Sequence, residues 1–413
     1  MNRSQYEDNE YMDDYPNEAQ QSINKKQPAG KTKYQKRIRR LWAILGIEVL
    51  LFAGLLGLYL LHYTDQKFEE INYEDLDEEE LFISETVSTE TREKYTTIAL
   101  FGLDARDVTT DTGNRSDTII IASIDKDTKE VRLLSVYRDT YMQFANPSGQ
   151  YDGCYTKITH AYAYGGAKGS IATLNKNLDL PITDYVTVNF LSLADIVDDL
   201  GGITVNVDAD EMNSINTWLP ETAQIAGRSY TGLYATGDVT LDGLQAVTYC
   251  RIRNLGAGDI DRSARQREVL SAILAKAKQS NLSTLNKMLD DVLPEISTSL
   301  SRSEILGLMK DVMSYDLDNN EGFPFTYHGG MYYDEIAGQD LSILVGGDMK
   351  YNAELAHQFL YGSQIGVTDN GEDPAEYKEE TYTPSATVED ISNTIVNKTG
   401  VYKPEDPELR GQF

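Results

Sequence analysis

The stretch YCRIRNLGAGDIDRSARQR, residues 249–267, holds five arginines and two aspartates in a chain whose formal net charge is −29. Guanidinium forks grip phosphate oxygens in pairs and stay charged at any physiological pH, so Arg251, Arg253, Arg262 and Arg265 suit a diphosphate better than a single carboxylate. The alternative is that they bridge Asp259, Asp261 and surface carboxylates, as an isolated arginine in an acidic chain usually does. Five arginines at one helix start shift that balance. Arg262, Arg265 and Gln266 stand at i, i+3 and i+4, on one helical face. A helix N-terminus adds unpaired N–H groups and partial positive charge, which favours an anion. Arg251 and Arg253 share a face if YCRIR is extended.

Carboxylates at strand ends form a second set. Asp104 ends one strand-like run, Asp117 opens a hairpin and Asp139 closes it. Oxygen ligands of this kind suit Mg²⁺ completed by substrate phosphates and water, although each aspartate taken singly reads equally well as a turn or cap residue. Lys157 either contacts phosphate or is a solvated first-turn residue. His160 is expected to pack or hydrogen-bond within a helix, and the tyrosines of AYAYGG to line a core or groove. Cys154 and Cys250 form either one disulfide or two buried thiols, and neither has the spacing of a zinc ligand pair.

The elements that must position these groups follow from hydrophobic patterning. YTTIALFGLD (95–104) reads as a strand, and DTIIIASI (117–124) and EVRLLSVY (130–137) read as a hairpin around DKDTK. Helical segments are predicted over 157–178, broken at Gly165 and Gly166, then over LSLADIVDDL, 240–248, 261–279, 284–297 and 302–314, with strands at 184–190 and ITVNV. Val269, Leu270, Ile273, Leu274 and Ala277 give the 261–279 helix its apolar face. The expected fold class is α/β, a layered α-β-α domain whose central mixed sheet is flanked by helices, plus an N-terminal transmembrane helix.

That span is the run 41–63, about 35 Å long as a helix and interrupted by one charge, Glu48. Eight lysines and arginines lie between Lys25 and Arg40, whereas residues 64–94 carry twelve carboxylates against Lys67, Arg92 and Lys94. The positive-inside rule then keeps the N-terminus in the cytoplasm and puts the rest outside the cell, on a single-pass cell-membrane protein. The length of the run and its long polar leader read as an uncleaved anchor and not as a cleaved signal. The expected organisation is a disordered cytoplasmic tail (1–40), the span (41–63), an acidic extracellular stalk (64–94), a catalytic domain (95–362) and a flexible acidic tail (363–413). Strong negative charge argues against nucleic-acid binding as a general role.

Seven segments in order, LFGLDAR (100–106), NRSDTIIIASID (114–125), LLSVYRDTYM (133–142), KITHAYAYGG (157–166), VNFLSLADIVDDLGGITVNV (188–207), LDGLQAVTYCRIR (241–253) and DIDRSARQR (259–267), resemble the LytR-CpsA-Psr family. The resemblance implies an enzyme of the cell envelope that moves an anionic glycopolymer, such as teichoic acid or capsule, from an undecaprenyl pyrophosphate carrier to peptidoglycan. It associates Asp104 and Asp117 with Mg²⁺ or another divalent cation. It gives pyrophosphate contacts to Arg138, Arg251, Arg253, Arg262 and Arg265, with Gln266 following, and Lys157 joins them as a candidate. Catalytic roles fall to Arg138, Asp117 and Asp139, the two aspartates as candidate general bases. One departure stands out: the family commonly has proline before Arg138, where this chain has Tyr137. Two other readings use the same pocket, a polyprenyl pyrophosphate hydrolase and a non-catalytic scaffold that binds lipid-linked polymer.

Overall fold

The computed structural model describes residues 72–103, 113–146, 149–364, 377–378 and 382–401. The tail 1–40, the expected span 41–63 and Asp104 lie outside the described residues. Among the described residues no helix is long and apolar enough to cross a membrane.

In chain order the strands are β1 Asn72–Tyr73, β2 Tyr95–Leu103, β3 Ser116–Asp125, β4 Glu130–Val136, β5 Tyr141–Gln143, β6 Tyr155–Lys157 and β7 Asp184–Asn189. They continue with β8 Ile203–Val207, β9 Gly237–Leu241, β10 Ser297–Thr298, β11 Asp316–Phe323, β12 His328–Asp334 and β13 Gln339–Val345. Seven of them form one sheet in the order β1-β10-β7-β2-β3-β4-β11. It is mixed: β3 pairs antiparallel with both β2 and β4, while β2 pairs parallel with β7 and β4 parallel with β11.

Alternation along β3 explains why helices cover both faces. Ile119 and Ile121 join one core with Phe101, Leu134 and the Ile158–Leu178 and Met349–Tyr361 helices. Ile120 and Ala122 point the other way, where Leu270 and Leu274 of the Asp259–Gln279 helix pack. Period-two side chains thus fill two cores from one strand. A third cluster lies beside the sheet, where the β8/β9 hairpin meets the Phe190–Asp199, Gly243–Cys250 and Asp259–Gln279 helices. Here glycine is required: a Cβ at Gly243 would stand 2.2 Å from the Ala194 carbonyl oxygen, so only a bare backbone lets these two helices approach.

The expected boundaries at 94 and 362 need correction. Leu81, in the supposed stalk, is 0% exposed within the main core, and its carbonyl accepts a 2.9 Å hydrogen bond from Asn175. In the supposed tail, the Ala386–Thr399 helix buries Val388, Ile391 and Ile395 in that same core. It is tethered by Asp179, which accepts hydrogen bonds from Tyr382, the Ser385 backbone and the Ser385 hydroxyl, each at 2.7 Å. Acidic composition hid a few apolar residues whose spacing is helical.

Candidate functional site

The strand β3 begins at Ser116, so Asp117 stands at the sheet end beside the N-terminus of the Asp259–Gln279 helix. Its Oδ1 accepts from Arg138 Nη1 at 2.7 Å and its Oδ2 from Arg253 Nη2 at 2.7 Å. Arg262 Nη1 lies 3.5 Å from Oδ2, and Arg262 Nη2 donates to the Asp117 carbonyl at 3.1 Å. One carboxylate therefore gathers three guanidinium groups from three separate segments.

Asp259 sits across the same three cations. Arg138 Nε is 3.4 Å from its Oδ2, and Arg253 Nε and Arg262 Nη2 are each 3.2 Å from its Oδ1. None of these contacts to Oδ1 is aligned as a hydrogen bond, and that oxygen is buried without such a partner among the described residues. Burial pushes the Asp259 carboxyl above the usual carboxylate range, against the pull of Arg138 and Arg253. Asp139 completes the group: Lys157 Nζ is 2.9 Å from its Oδ1, and Arg138 Nε lies 3.8 Å from Oδ2. Burial disfavours the charge on Arg138, but Asp117, Asp259 and Asp139 more than offset it and raise its pKa.

The turn that carries Arg138 and Asp139 holds without proline. The Tyr137 N–H donates to the Phe323 carbonyl at 2.9 Å, a bond proline could not make, and the Thr140 N–H and hydroxyl both donate to the Tyr137 carbonyl. The Thr159 N–H takes the Arg138 carbonyl at 3.1 Å, and the Leu344 N–H takes that of Asp139 at 2.9 Å.

Beside this cluster lies a polar chamber of about 100 Å³ lined by Asp117, Arg251, Arg253, Arg262, Gln266 and, at its inner side, Phe190 and Cys250. Phe190, Cys250 and Gln266 also line an apolar cavity of about 230 Å³ between the sheet and the Asp259–Gln279 helix, walled by Leu100, Ile120, Val186, Val188, Leu193 and Val269. The two spaces adjoin, with those three residues common to both linings. Phe190 was not among the sequence candidates, although it lies in a quoted motif. It starts the helix capped by Asn189 Oδ1 and carries Arg251 over its ring at 5.3 Å.

Two expectations about the arginines change. YCRIR is not a strand: Cys250 ends the Gly243–Cys250 helix, and Arg251 caps it in right-handed helical conformation. Arg251 and Arg253 reach one chamber by a turn. Arg262 and Gln266, four apart, also face that chamber, but Arg265 does not line it. Its Nε pairs with Glu211 at 2.8 Å and its Nη1 donates to the Ile252 carbonyl at 3.4 Å, so it braces the wall from behind.

Cys154 and Cys250 are free thiols, and burial pushes Cys250 up to about 12. His160 packs as expected, with its Nδ1 at 2.7 Å from the Thr156 hydroxyl. Among the described residues no three acidic, histidine or cysteine side chains converge as a metal site. Both Asp117 oxygens already accept from guanidinium groups, so the described residues do not by themselves fit a divalent cation.

A LytR_cpsA_psr family model matches residues 58–341. A polyisoprenyl-teichoic acid–peptidoglycan teichoic acid transferase, TagU of Enterococcus faecalis, is 30% identical over 312 residues, covering 74% of this chain and 94% of the relative. TagT of Bacillus subtilis, described by the same activity, is 31% identical over 255 residues, 59% of this chain and 73% of its own. A solved structure of TagT bound to LI-WTA aligns with a TM-score of 0.51 at 26% identity, over 70% of this chain and 99% of that one.

Proposed function

The chain belongs to the LytR-CpsA-Psr family, and from that premise we propose that it transfers an anionic glycopolymer of the teichoic acid kind from a polyisoprenyl pyrophosphate carrier, undecaprenyl in the resemblance, to peptidoglycan. The observation that carries this reading is that the guanidinium chamber adjoins the apolar cavity, with Phe190, Cys250 and Gln266 lining both. A molecule with a diphosphate at one end and a hydrocarbon tail at the other matches such a pair of spaces.

Phosphoryl transfer needs positioning and charge stabilisation more than covalent help from the protein. Arg138, Arg251, Arg253 and Arg262 supply the positive charge. Arg262 is buried, its side chain 3% exposed, and can move little; Arg253, at 44%, stands at the mouth. Entry of a diphosphate trades the poorly aligned contacts to Asp259 for bidentate ones to phosphate oxygens. An acceptor hydroxyl on peptidoglycan then attacks the phosphorus that bears the polymer. The new P–O bond forms as the P–O–P bond breaks, polyisoprenyl phosphate leaves, and the hydroxyl proton passes to a carboxylate. Of the two candidate bases, Asp117 has both oxygens engaged by guanidinium. Asp139 Oδ2 has its nearest guanidinium nitrogen at 3.8 Å, which leaves it a lone pair to accept the proton.

Three further parts complete the proposal. The apolar run 41–63 with its basic N-terminal flank supports a single membrane span and a site outside the cell. A divalent cation enters through the residue match of Asp104 and Asp117 alone, and none of the steps above uses one. Lys157 acts through Asp139, which it holds at 2.9 Å.

The test uses the full chain in detergent with a glycan-bearing polyisoprenyl pyrophosphate, with and without peptidoglycan fragments. Polyisoprenyl phosphate should appear together with a glycan–phosphate–peptidoglycan adduct, and Arg262→Ala should lower the rate by a hundredfold or more in order of magnitude. Release of glycan phosphate without adduct would make the protein a hydrolase, and tight binding without turnover would make it a scaffold.

A further inference from the structure

Tyr137 stands directly before Arg138, and its side chain does something that the backbone bonds of the turn do not. Leu133 of β4 packs with Leu270 and Leu274 of the Asp259–Gln279 helix, and Ser135 and then Tyr137 continue the alternation on that face. Beside them on β11, Asn320 is in register with Leu133 and Gly322 with Ser135. Gly322 leaves a notch. A Cβ on it would lie 2.0 Å from the Tyr137 hydroxyl oxygen and 2.6 Å from ring Cζ, so the phenol occupies the space a side chain would take. Tyr137 is buried there, and its ring meets that of Tyr327 edge-on with centroids 6.1 Å apart.

The same face of β11 is bonded to the helix that carries Arg262. Further along that helix Arg267, also buried, donates from Nε to Asn320 Oδ1 at 2.9 Å. Its Nη1 is buried with no hydrogen-bond partner among the described residues, so the bond to Asn320 is what fixes this side chain. Burial pushes the Tyr137 phenol up to about 12 against the pull of Arg267, which leaves it neutral at physiological pH, and the ring acts by its shape. Arg138 and Arg262 are thus each tied to one strand through a neighbour, Tyr137 on Gly322 and Arg267 on Asn320.

We propose that Tyr137, seated on Gly322, is a positioning residue that sets where Arg138 stands relative to Arg262. The inference rests on the transferase reading above, in which Arg138 supplies charge, and goes beyond it by naming what holds that charge in place. The ring is enclosed, so a Cβ at Gly322 would push the whole residue, and the next atoms to move are those of Arg138. A misplacement of about 1 Å can cost on the order of a hundredfold in rate.

The experiment measures kcat and donor KM of the full chain in detergent, with the lipid-linked glycan and peptidoglycan fragments, and the affinity for inorganic pyrophosphate by calorimetry. Gly322→Ala and Tyr137→Ala should each lower kcat about tenfold, while donor KM and pyrophosphate affinity, left to Arg251, Arg253 and Arg262, stay within about twofold. Tyr137→Phe keeps the ring and should stay within about threefold of the wild-type kcat. The double variant Gly322→Ala with Tyr137→Ala should be no slower than Tyr137→Ala alone, because the added Cβ no longer meets a ring. Losses that multiply to about a hundredfold in the double variant, or single variants that melt earlier with kcat unchanged, overturn the proposal. Should Tyr137→Ala fail to fold, Tyr137→Leu carries the same comparison. If the wild-type chain turns over no donor, the transferase reading itself falls and takes this inference with it, whereas an active wild type with equally active variants removes this inference alone.

Discussion

Arg262 and Asp117, 145 residues apart in the chain, meet at the floor of the polar chamber, where Arg262 Nη2 donates to the Asp117 carbonyl at 3.1 Å and Nη1 lies 3.5 Å from its carboxylate. That contact ties the helix bearing the R-x-x-R-Q motif to the end of β3. Asp117 serves Arg138 and Arg253 in the same way, so one carboxylate holds together a set of like charges that would otherwise repel. Replacing Asp117 with Asn should destabilise the protein by about 3–5 kcal/mol, the usual consequence of leaving buried charge uncompensated. It should also abolish turnover. Because a diphosphate can restore the missing negative charge, the rise in melting temperature on adding polyisoprenyl pyrophosphate should be larger in the variant than in the wild type. A smaller rise would show that Asp117 does not compete with phosphate for these arginines.

The apolar cavity makes a steric prediction. Val188 lines it from β7, and Val188→Trp would fill much of its volume of about 230 Å³. The affinity for a long-chain polyisoprenyl pyrophosphate should drop about tenfold or more, while inorganic pyrophosphate should bind as in the wild type. Comparing the two ligands by calorimetry separates loss of the tail site from damage to the arginines.

Asp334 sits at the end of β12 and anchors the segment that leads to Lys157. Its Oδ2 accepts from the Thr156 hydroxyl at 2.7 Å and from the Lys157 backbone at 3.2 Å. Burial alone would raise its pKa, but hydrogen bonds from His160, the Ala337 backbone and Thr156 outweigh burial and hold it at about 2. A carboxyl depressed in the folded state contributes stability above its unfolded pKa, near 3.9, and loses it as pH falls through the folded value. Wild-type stability should therefore exceed that of Asp334→Asn by about 2 kcal/mol at pH 7. Urea unfolding should show this gap constant down to about pH 5 and closing between about pH 4 and pH 2.

Truncation tests the corrected C-terminal boundary. Removing residues 382–413 deletes the Ala386–Thr399 helix and with it the buried side chains of Val388, Ile391 and Ile395. At roughly 1.5–3 kcal/mol for each fully buried aliphatic side chain, the loss approaches the whole stability of a typical domain. The truncated chain should aggregate or melt well below the full-length protein. An unchanged melting temperature would return this segment to the status of a tail.

Local pattern alone located much of this protein. Apolar alternation marked β2, β3 and β4, and the Gly165–Gly166 break predicted the kink in the Ile158–Leu178 helix, where Gly166 has φ of 63°. The ordered motifs named the residues around the chamber through the family resemblance, and the charge pattern of residues 249–267 pointed to the same arginines. What a residue meets across the chain has no such local signature. Only the tertiary structure decided that Arg251 and Arg253 converge through a helix end and a turn, and that Arg265 leaves its neighbours Arg262 and Gln266 to brace Glu211. The same holds for Leu81 and the Ala386–Thr399 helix, whose sparse apolar residues in acidic surroundings became core when distant elements closed over them. Secondary structure follows from neighbours three or four residues away, whereas a cavity, a shared counter-charge and a domain boundary are set by contacts between segments a hundred or more residues apart.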